Sequence, residues 1–143
     1  MSKYYIIATN KELKLKSQTF SYKKLNVDYL RNINEGYLDE KFHYMVNFSN
    51  FTDIGYNITN YHYFDTDMDK LFFAKFLKEI EDLLNCGYEI SLYQFWENSR
   101  ELVLDENLIY QSKEISTNPD DYREDYFRFE FNTKYIFVKK ENY

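Results

Sequence analysis

The chain has 143 residues, of which 44% are hydrophobic and 29% charged, and its formal net charge is −6. The high hydrophobic fraction excludes an intrinsically disordered chain. The length suits one domain, and we expect residues 1–143 to form a single α+β domain. The acidic balance disfavours direct binding to nucleic acid, which requires a positive surface.

Residue types that carry chemistry are scarce in this sequence. It holds two His, one Cys and three Gly, against 16 Tyr and 13 Phe. Catalytic and cofactor sites depend most often on His, Cys or glycine-rich loops. The composition therefore favours a binding protein that is not an enzyme and uses no cofactor and no metal. Codon usage in an AT-rich genome would produce the same aromatic excess.

Hydropathy and cysteine content indicate a cytosolic protein without membrane contact. No apolar run approaches the roughly 18 to 20 residues that cross a bilayer. The apolar stretch at residues 4–8 is too short for a secretory signal. A lone cysteine, Cys86, cannot form an internal disulfide, which fits a reducing compartment.

The first half of the chain contains three predicted strands and a short predicted helix. Residues 4–9 are rich in Tyr and Ile, which favours a strand. Apolar residues at helical spacing predict a short helix over 25–34. Strict alternation over 42–48 and again over 56–64 predicts an antiparallel hairpin.

A long amphipathic helix is the clearest predicted element, over about 66–86. Its apolar residues recur at intervals of three and four: Met68, Phe72, Phe76, Ile80 and Leu83. Asp65 or Thr66 can accept hydrogen bonds from the first turn, and Gly87 suits the left-handed exit. Such a wide apolar stripe predicts that this helix covers one face of a sheet.

The second half of the chain is predicted to consist mainly of strands. Residues 88–96 predict one strand, and 100–105 with 108–114 predict a further pair. Residues 118–121 form a predicted loop, and 127–137 alternate as one long strand or as a hairpin broken near 132–133. The fold class is therefore α+β, a mostly antiparallel sheet with the long helix on one face and the short helix beside it.

Two groups of polar residues resemble metal sites but are incomplete. Asp65, Asp67 and Asp69 match the start of a calcium-binding loop, but its later glycine and glutamate positions are not filled. Helix capping accounts for these aspartates. His43 and His62 fall on neighbouring predicted strands, and two histidines alone do not hold a metal.

The basic N-terminal part offers a candidate for single-stranded nucleic acid. Residues 1–41 carry 8 basic and 5 acidic side chains, whereas the rest of the chain carries 10 and 19. Lysines interleaved with aromatic rings over 3–24 can stack on and neutralise a single strand. We favour the alternative, in which these lysines lie at a sheet edge and prevent edge-to-edge aggregation.

An acidic, tyrosine-containing stretch is the strongest candidate for binding a protein. Tyrosine gives a large contact area at low entropic cost, and carboxylates attract a basic partner. A second acidic group flanks the single tryptophan. The candidate contact residues are Asp120, Asp121, Tyr122, Glu124, Asp125, Tyr126, Trp96 and Glu97.

Three hypotheses follow for the function. The preferred one is a non-catalytic protein, monomer or homodimer, that binds and inhibits a protein partner with a basic surface. Toxin-neutralising immunity proteins and phage-coded inhibitors of bacterial defence nucleases are of this type, although no family motif is present. The alternative is a module with an aromatic-lined pocket that binds a nucleotide or metabolite. A carboxylate-dependent hydrolase is the third.

Overall fold

The computed structural model describes residues 2–25, 30–31, 42–48, 67–97, 104–105 and 109–139. One helix, α1 (Lys70–Asn85), lies between β5 and β6, and a short 3-10 helix (Pro119–Asp121) lies between β8 and β9. The strands are β1 (Ser2–Thr9), β2 (Phe20–Lys24), β3 (Leu30–Arg31), β4 (Phe42–Phe48), β5 (Asp67–Asp69), β6 (Ile90–Glu97), β7 (Leu104–Asp105), β8 (Gln111–Ser116), β9 (Tyr126–Arg128) and β10 (Thr133–Val138).

A six-stranded, mostly antiparallel sheet confirms the α+β class. Its spatial order is β2-β4-β1-β6-β10-β8, and only the pairing of β8 with β10 is parallel. β1 lies inside the sheet, in register with β6 from Ser2 opposite Glu97 to Thr9 opposite Ile90. The basic strand β2 ends the described sheet on one side, with Lys23 and Lys24 exposed, as expected for an edge protected by lysines.

The prediction of a short helix over 25–34 is wrong. Leu30 and Arg31 instead form β3, which pairs in parallel with β7. The Leu25 N–H donates to the His43 carbonyl at 2.9 Å and continues the ladder between β2 and β4. A ten-residue helix is marginal in water, so the strand pairings available on both sides outweigh the helical spacing.

Helix α1 begins four residues later than its apolar spacing predicts. Residues 67–69 are taken by β5, and Asp69 becomes the N-cap, with its side chain accepting from the Phe72 N–H at 2.8 Å. After the helix ends, Gly87 adopts a φ of +89°, the left-handed conformation expected of it.

The space between α1 and the sheet is filled by aromatic rings. Phe76, fully buried on α1, lies 5.2 Å from the ring of Phe48 on β4 and 5.8 Å from that of Phe137 on β10. Both contacts are edge-to-face, the arrangement that aromatic pairs prefer. The helix therefore covers one face of the sheet, as its stripe predicts.

The opposite face of the sheet is also buried at its centre, on β4, β1 and β6. Ile6, Ala8 and Tyr93 have no exposed surface, and Ser91 and His43 are 2% and 7% exposed. These residues alternate along their strands with those that face α1, so they share the second face. Towards the outer strands this face is exposed, for example at Lys23 on β2 and Glu114 on β8.

Two expected pairings form differently. The stretch over 100–105 contributes β7, which pairs with β3 rather than with 108–114. The stretch over 127–137 divides into β9 and β10, but β9 pairs with β5 instead of folding back on β10. The predicted strand over 56–64 lies outside the described residues.

Candidate functional site

The acidic segment, which we define as residues 119–126, lies against the start of helix α1. The Lys70 N–H donates to the Asp125 carbonyl at 2.9 Å. Tyr126, the first residue of β9, is in register with Asp69, the residue that caps α1. Backbone pairing therefore holds the end of the segment directly beside the first turn of the helix.

Aromatic packing holds the rest of the segment. Phe73 of α1, which is 3% exposed, stacks on Phe127 with ring centroids 4.0 Å apart and planes 7° apart. Tyr122 presents its ring edge-on to Phe73 at 5.1 Å and to Phe127 at 5.5 Å. Each such aromatic pair contributes about 0.5–1.5 kcal/mol beyond the area that it buries.

Tyr122 positions the segment instead of lying open on its surface. Its ring is half-buried, and its hydroxyl donates to the Ser116 carbonyl at 2.7 Å. Burial, with a smaller effect of the nearby Asp121 carboxylate, raises the pKa of this phenol to about 12. The hydroxyl thus stays neutral and hydrogen-bonded at physiological pH.

A capped turn sets the start of the segment. The Asn118 side chain accepts from the Asp120 N–H at 3.0 Å, and Pro119 occupies the first position of the 3-10 helix. The Tyr122 N–H closes the turn on the Pro119 carbonyl at 3.1 Å. Asparagine and proline favour such turns, so the sequence explains why the chain bends here.

The carboxylates of the acidic segment are exposed. Asp120, Asp121, Glu124 and Asp125 all face solvent, and the Tyr126 side chain is 57% exposed. Within the described residues, Asp120, Glu124 and Asp125 form no ion pair. Their charges are therefore available to a partner.

A groove runs between the segment and α1, with a volume of about 710 Å³. Its lining mixes charges: Lys70, Arg123 and Arg128 are basic, whereas Asp121 and Glu124 are acidic. Rings of Phe73, Tyr122, Tyr126 and Phe127 complete the apolar part. The sequence analysis did not single out these three cations, although Arg123 stands inside the acidic stretch of the sequence.

A second groove, of about 550 Å³, lies on the other side of α1. There the Glu79 carboxylate accepts from the Ser17 and Thr19 hydroxyls, each at 2.6 Å, and from the Gln18 N–H at 2.8 Å. These bonds fix the loop 17–19 against the helix. Leu71, at 78% exposure, also lines this groove.

Trp96 and Glu97 are not shown to join the acidic segment. Their backbone forms the end of β6, opposite Lys3 and Ser2 of β1. The side chains of both residues lie outside the described part of the structure.

The other polar candidates are distributed over the fold. His43 is buried on the second face of the sheet, while His62 and Asp65 lie outside the described residues. Cys86 is exposed at the end of α1, where its carbonyl accepts from Lys11 Nζ at 2.6 Å. In the described ranges, no group of three or more His, Cys, Asp or Glu could hold a metal ion.

Comparisons of the chain with protein-family models, with curated proteins and with solved structures give no match. No helix in the described parts of the chain has the length and apolar character needed to cross a bilayer. The geometry of the acidic segment and the two grooves is therefore the basis for a functional proposal.

Proposed function

We propose that this chain is a non-catalytic protein that binds a partner protein with a basic surface, and that the acidic segment is its contact surface. A toxin or nuclease whose basic surface holds nucleic acid is the kind of target that fits, and covering that surface would inhibit it. The observation that carries this proposal is a set of three exposed carboxylates that form no ion pair with any described residue, on a segment fixed by aromatic packing.

Rigidity supports this role because it lowers the cost of binding. A flexible loop loses conformational freedom when it is immobilised, at about 0.5–1.5 kcal/mol for each rotamer-rich side chain, plus the backbone. Here the backbone of the segment is held before binding by the Tyr122 hydroxyl and by the bond from Lys70 to Asp125. When a partner binds, only the side-chain torsions of the carboxylates lose freedom, because the backbone is already fixed.

The chemistry of the exposed side chains supports a basic partner. Unneutralised carboxylates speed association with a positive surface, and this effect weakens as salt screens the charges. Tyr126, with more than half of its side chain exposed, supplies the large ring that often dominates binding energy.

The test begins with capture of a partner on the tagged chain from host lysate, eluted by a salt gradient. Binding of the purified partner is then measured for the triple variant Asp120→Asn, Glu124→Gln, Asp125→Asn. A matched control, Glu81→Gln, Glu89→Gln, Glu114→Gln, removes the same charge elsewhere. We expect affinity to fall about 10- to 100-fold in the first variant, mainly through slower association, and little in the control. Equal losses in both would refute the choice of surface.

The 710 Å³ groove favours a second candidate, a small anionic ligand with an aromatic part. Its volume lies within the range of ligand pockets, and it combines four rings with three cations. A thermal-shift screen with nucleotides tests this function. A rise of several degrees that disappears in Arg123→Gln would support it, and unchanged melting with every nucleotide would count against it.

A further inference from the structure

Strand β8 ends the described sheet on the side opposite β2, and its side chains are exposed on both faces. Each residue over 110–114 is exposed. Consecutive side chains of a strand point to opposite faces of the sheet, so neither face is covered over this length. In the part of the chain that the structure describes, no strand pairs with the outer side of β8.

The hydrogen-bond ladder identifies which backbone groups of β8 face outwards. β8 pairs in parallel with β10 along its whole length. The bond from the Thr117 N–H to the Val138 carbonyl, at 3.1 Å, continues this ladder. In a parallel ladder alternate residues bond to one neighbour, so the odd-numbered residues of β8, in step with Thr117, face β10. The N–H and C=O groups of Ser112 and Glu114 therefore point away from the sheet.

The two ends of the described sheet differ in how they are protected. β2 carries the exposed Lys23 and Lys24, which hinder pairing with another strand. On β8 the single lysine, Lys113, forms an ion pair with Glu130, so its charge is neutralised. β8 thus lacks the protection that natural sheet edges carry, which indicates an edge that is open to pairing.

The C-terminal end of β8 leads into the acidic segment. The Ser116 carbonyl accepts from the Tyr122 hydroxyl at 2.7 Å, and Asn118 caps the turn that begins the segment. Asp120, in that turn, is exposed and is not part of the groove lining with its three cations. The whole segment carries four carboxylates against one cation, Arg123. A chain that extends along β8 beyond Ser116 therefore meets net negative charge.

We propose that β8 binds an extended segment of the partner as an added antiparallel strand, whose N-terminal end is basic and contacts the acidic segment. This inference rests on the proposed function and specifies the form of the partner. Main-chain hydrogen bonds to Ser112 and Glu114 supply affinity for an extended chain. An antiparallel strand begins where β8 ends, so its first residues lie beside the carboxylates, and their charge supplies specificity.

Other occupants satisfy only part of this surface. If β8 of a second copy paired here in antiparallel fashion, Tyr110 and Gln111 would lie beside the acidic segment, and both are uncharged. A folded basic surface would satisfy the carboxylates but would leave the outward backbone groups of β8 without partners. An extended basic segment satisfies the edge and the charge together.

A synthetic peptide of four lysines followed by six alternating Thr and Val residues tests the inference without the natural partner. The ¹⁵N-labelled full chain is titrated with this peptide at low salt, and amide exchange is followed by NMR. We expect the N–H groups of Ser112 and Glu114 to exchange about tenfold more slowly when the peptide is bound. The Lys113 N–H already faces β10 and should change little.

The reversed peptide, with the lysines last, is the matched control for direction. It must pair in parallel to reach the same carboxylates, and parallel pairing is less stable. We therefore expect it to bind about 3- to 10-fold more weakly.

A proline variant tests the same edge by mutation. Ser112→Pro removes an outward N–H and leaves the ladder to β10 intact, whereas the matched Ser112→Ala keeps that N–H. Peptide binding should be lost in Ser112→Pro and retained in Ser112→Ala. Circular dichroism establishes that both variants are folded, and if the proline variant is not, the exchange measurement on the wild type decides.

Protection of Ser112 and Glu114 with preference for the lysine-first peptide would establish β8 as the docking edge. Absence of this protection, equal binding of the two peptides, or undiminished binding to folded Ser112→Pro would each overturn the inference. The peptide result does not depend on capture of a partner. If a captured partner loses affinity for the charge variant of the acidic segment but binds Ser112→Pro as tightly as Ser112→Ala, this inference fails and the proposed function stands.

Discussion

Removal of the Tyr122 ring should free the acidic segment from helix α1 while the sheet stays folded. A buried tyrosine covers about 200 Å², so this half-buried ring covers about 100 Å², equivalent to about 2.5 kcal/mol. The edge contacts with Phe73 and Phe127 add about 1 kcal/mol together at the low end of their range. Tyr122→Ala also loses the hydroxyl bond to Ser116, about 1 kcal/mol, so we expect it to destabilise the closed segment by about 4–5 kcal/mol.

The matched variant Tyr122→Phe separates the ring from the hydroxyl. It keeps both ring contacts and loses only the bond to the Ser116 carbonyl, a loss of about 1 kcal/mol. The same comparison tests the role of this residue in partner binding. If Tyr122 acts by positioning the segment, Tyr122→Phe should bind the partner as the wild type does, whereas Tyr122→Ala should bind weakly.

Amide hydrogen exchange gives a local measure of this opening. The Lys70 N–H is bonded to Asp125, so it exchanges when the segment leaves the helix. A loss of about 4 kcal/mol corresponds to exchange faster by about 900-fold, and a loss of about 1 kcal/mol to about fivefold. The Leu25 N–H, bonded to His43 in the sheet, is the internal control. Unchanged Lys70 exchange in Tyr122→Ala, or equal acceleration in both variants, would refute this account.

Three further measurements test other parts of the structure. Glu79→Ala removes the acceptor of three hydrogen bonds and should lower the free energy of unfolding, measured in urea, by about 2–3 kcal/mol. The control Glu81→Ala should change the free energy of unfolding by less than about 0.5 kcal/mol. Gly87→Ala places a Cβ at a φ of +89° and should cost about 1–2 kcal/mol, seen as a lower melting temperature; an unchanged temperature would argue against strain. Burial raises the pKa of Tyr122 and Tyr135 to about 12, so both contribute stability in full below pH 10 and lose it as the pH rises towards 12. Urea unfolding between pH 9 and 12 should show this fall, and a smaller fall in Tyr122→Phe.

Elements with a strong local pattern could be predicted from the sequence. Helix α1 has a stripe wide enough to identify it, and β1 and β6 are rich in β-branched and aromatic residues. The start of α1 could not be placed, because three aspartates precede it and each can cap a helix. Only the pairing of β5 with β9, from a distant part of the chain, selects Asp69.

The partners of the strands could not be predicted from the sequence, because pairing depends on contacts between distant parts of the chain. The parallel pair of β3 and β7 joins residues about 74 positions apart, and no local feature of Leu30 or Leu104 encodes that contact. Helical spacing over 25–34 was therefore misleading, since a short segment takes the structure that its tertiary contacts support.

In the candidate site, too, local features could be predicted from the sequence and long-range contacts could not. Composition alone identified the acidic segment, and Asn118 with Pro119 marked its turn. The inward packing of Tyr122 depends on Phe73, nearly fifty residues earlier, and could not be seen in the local sequence. Leu71 did carry a signal, as an apolar residue on the polar side of the helix, but single exposed leucines are common.

The central place of β1 has a consequence for synthesis of the chain. One of its neighbours, β4, is complete by residue 48, but β6 is complete only at residue 97. At about 5–20 residues per second, a ribosome needs roughly 2 to 10 seconds to add the residues between. During that interval one edge of β1, with Tyr5, Ile6 and Ile7, has no partner strand from the main sheet. The nascent chain is then most exposed to aggregation, and chaperone binding over this interval should raise the yield of folded protein.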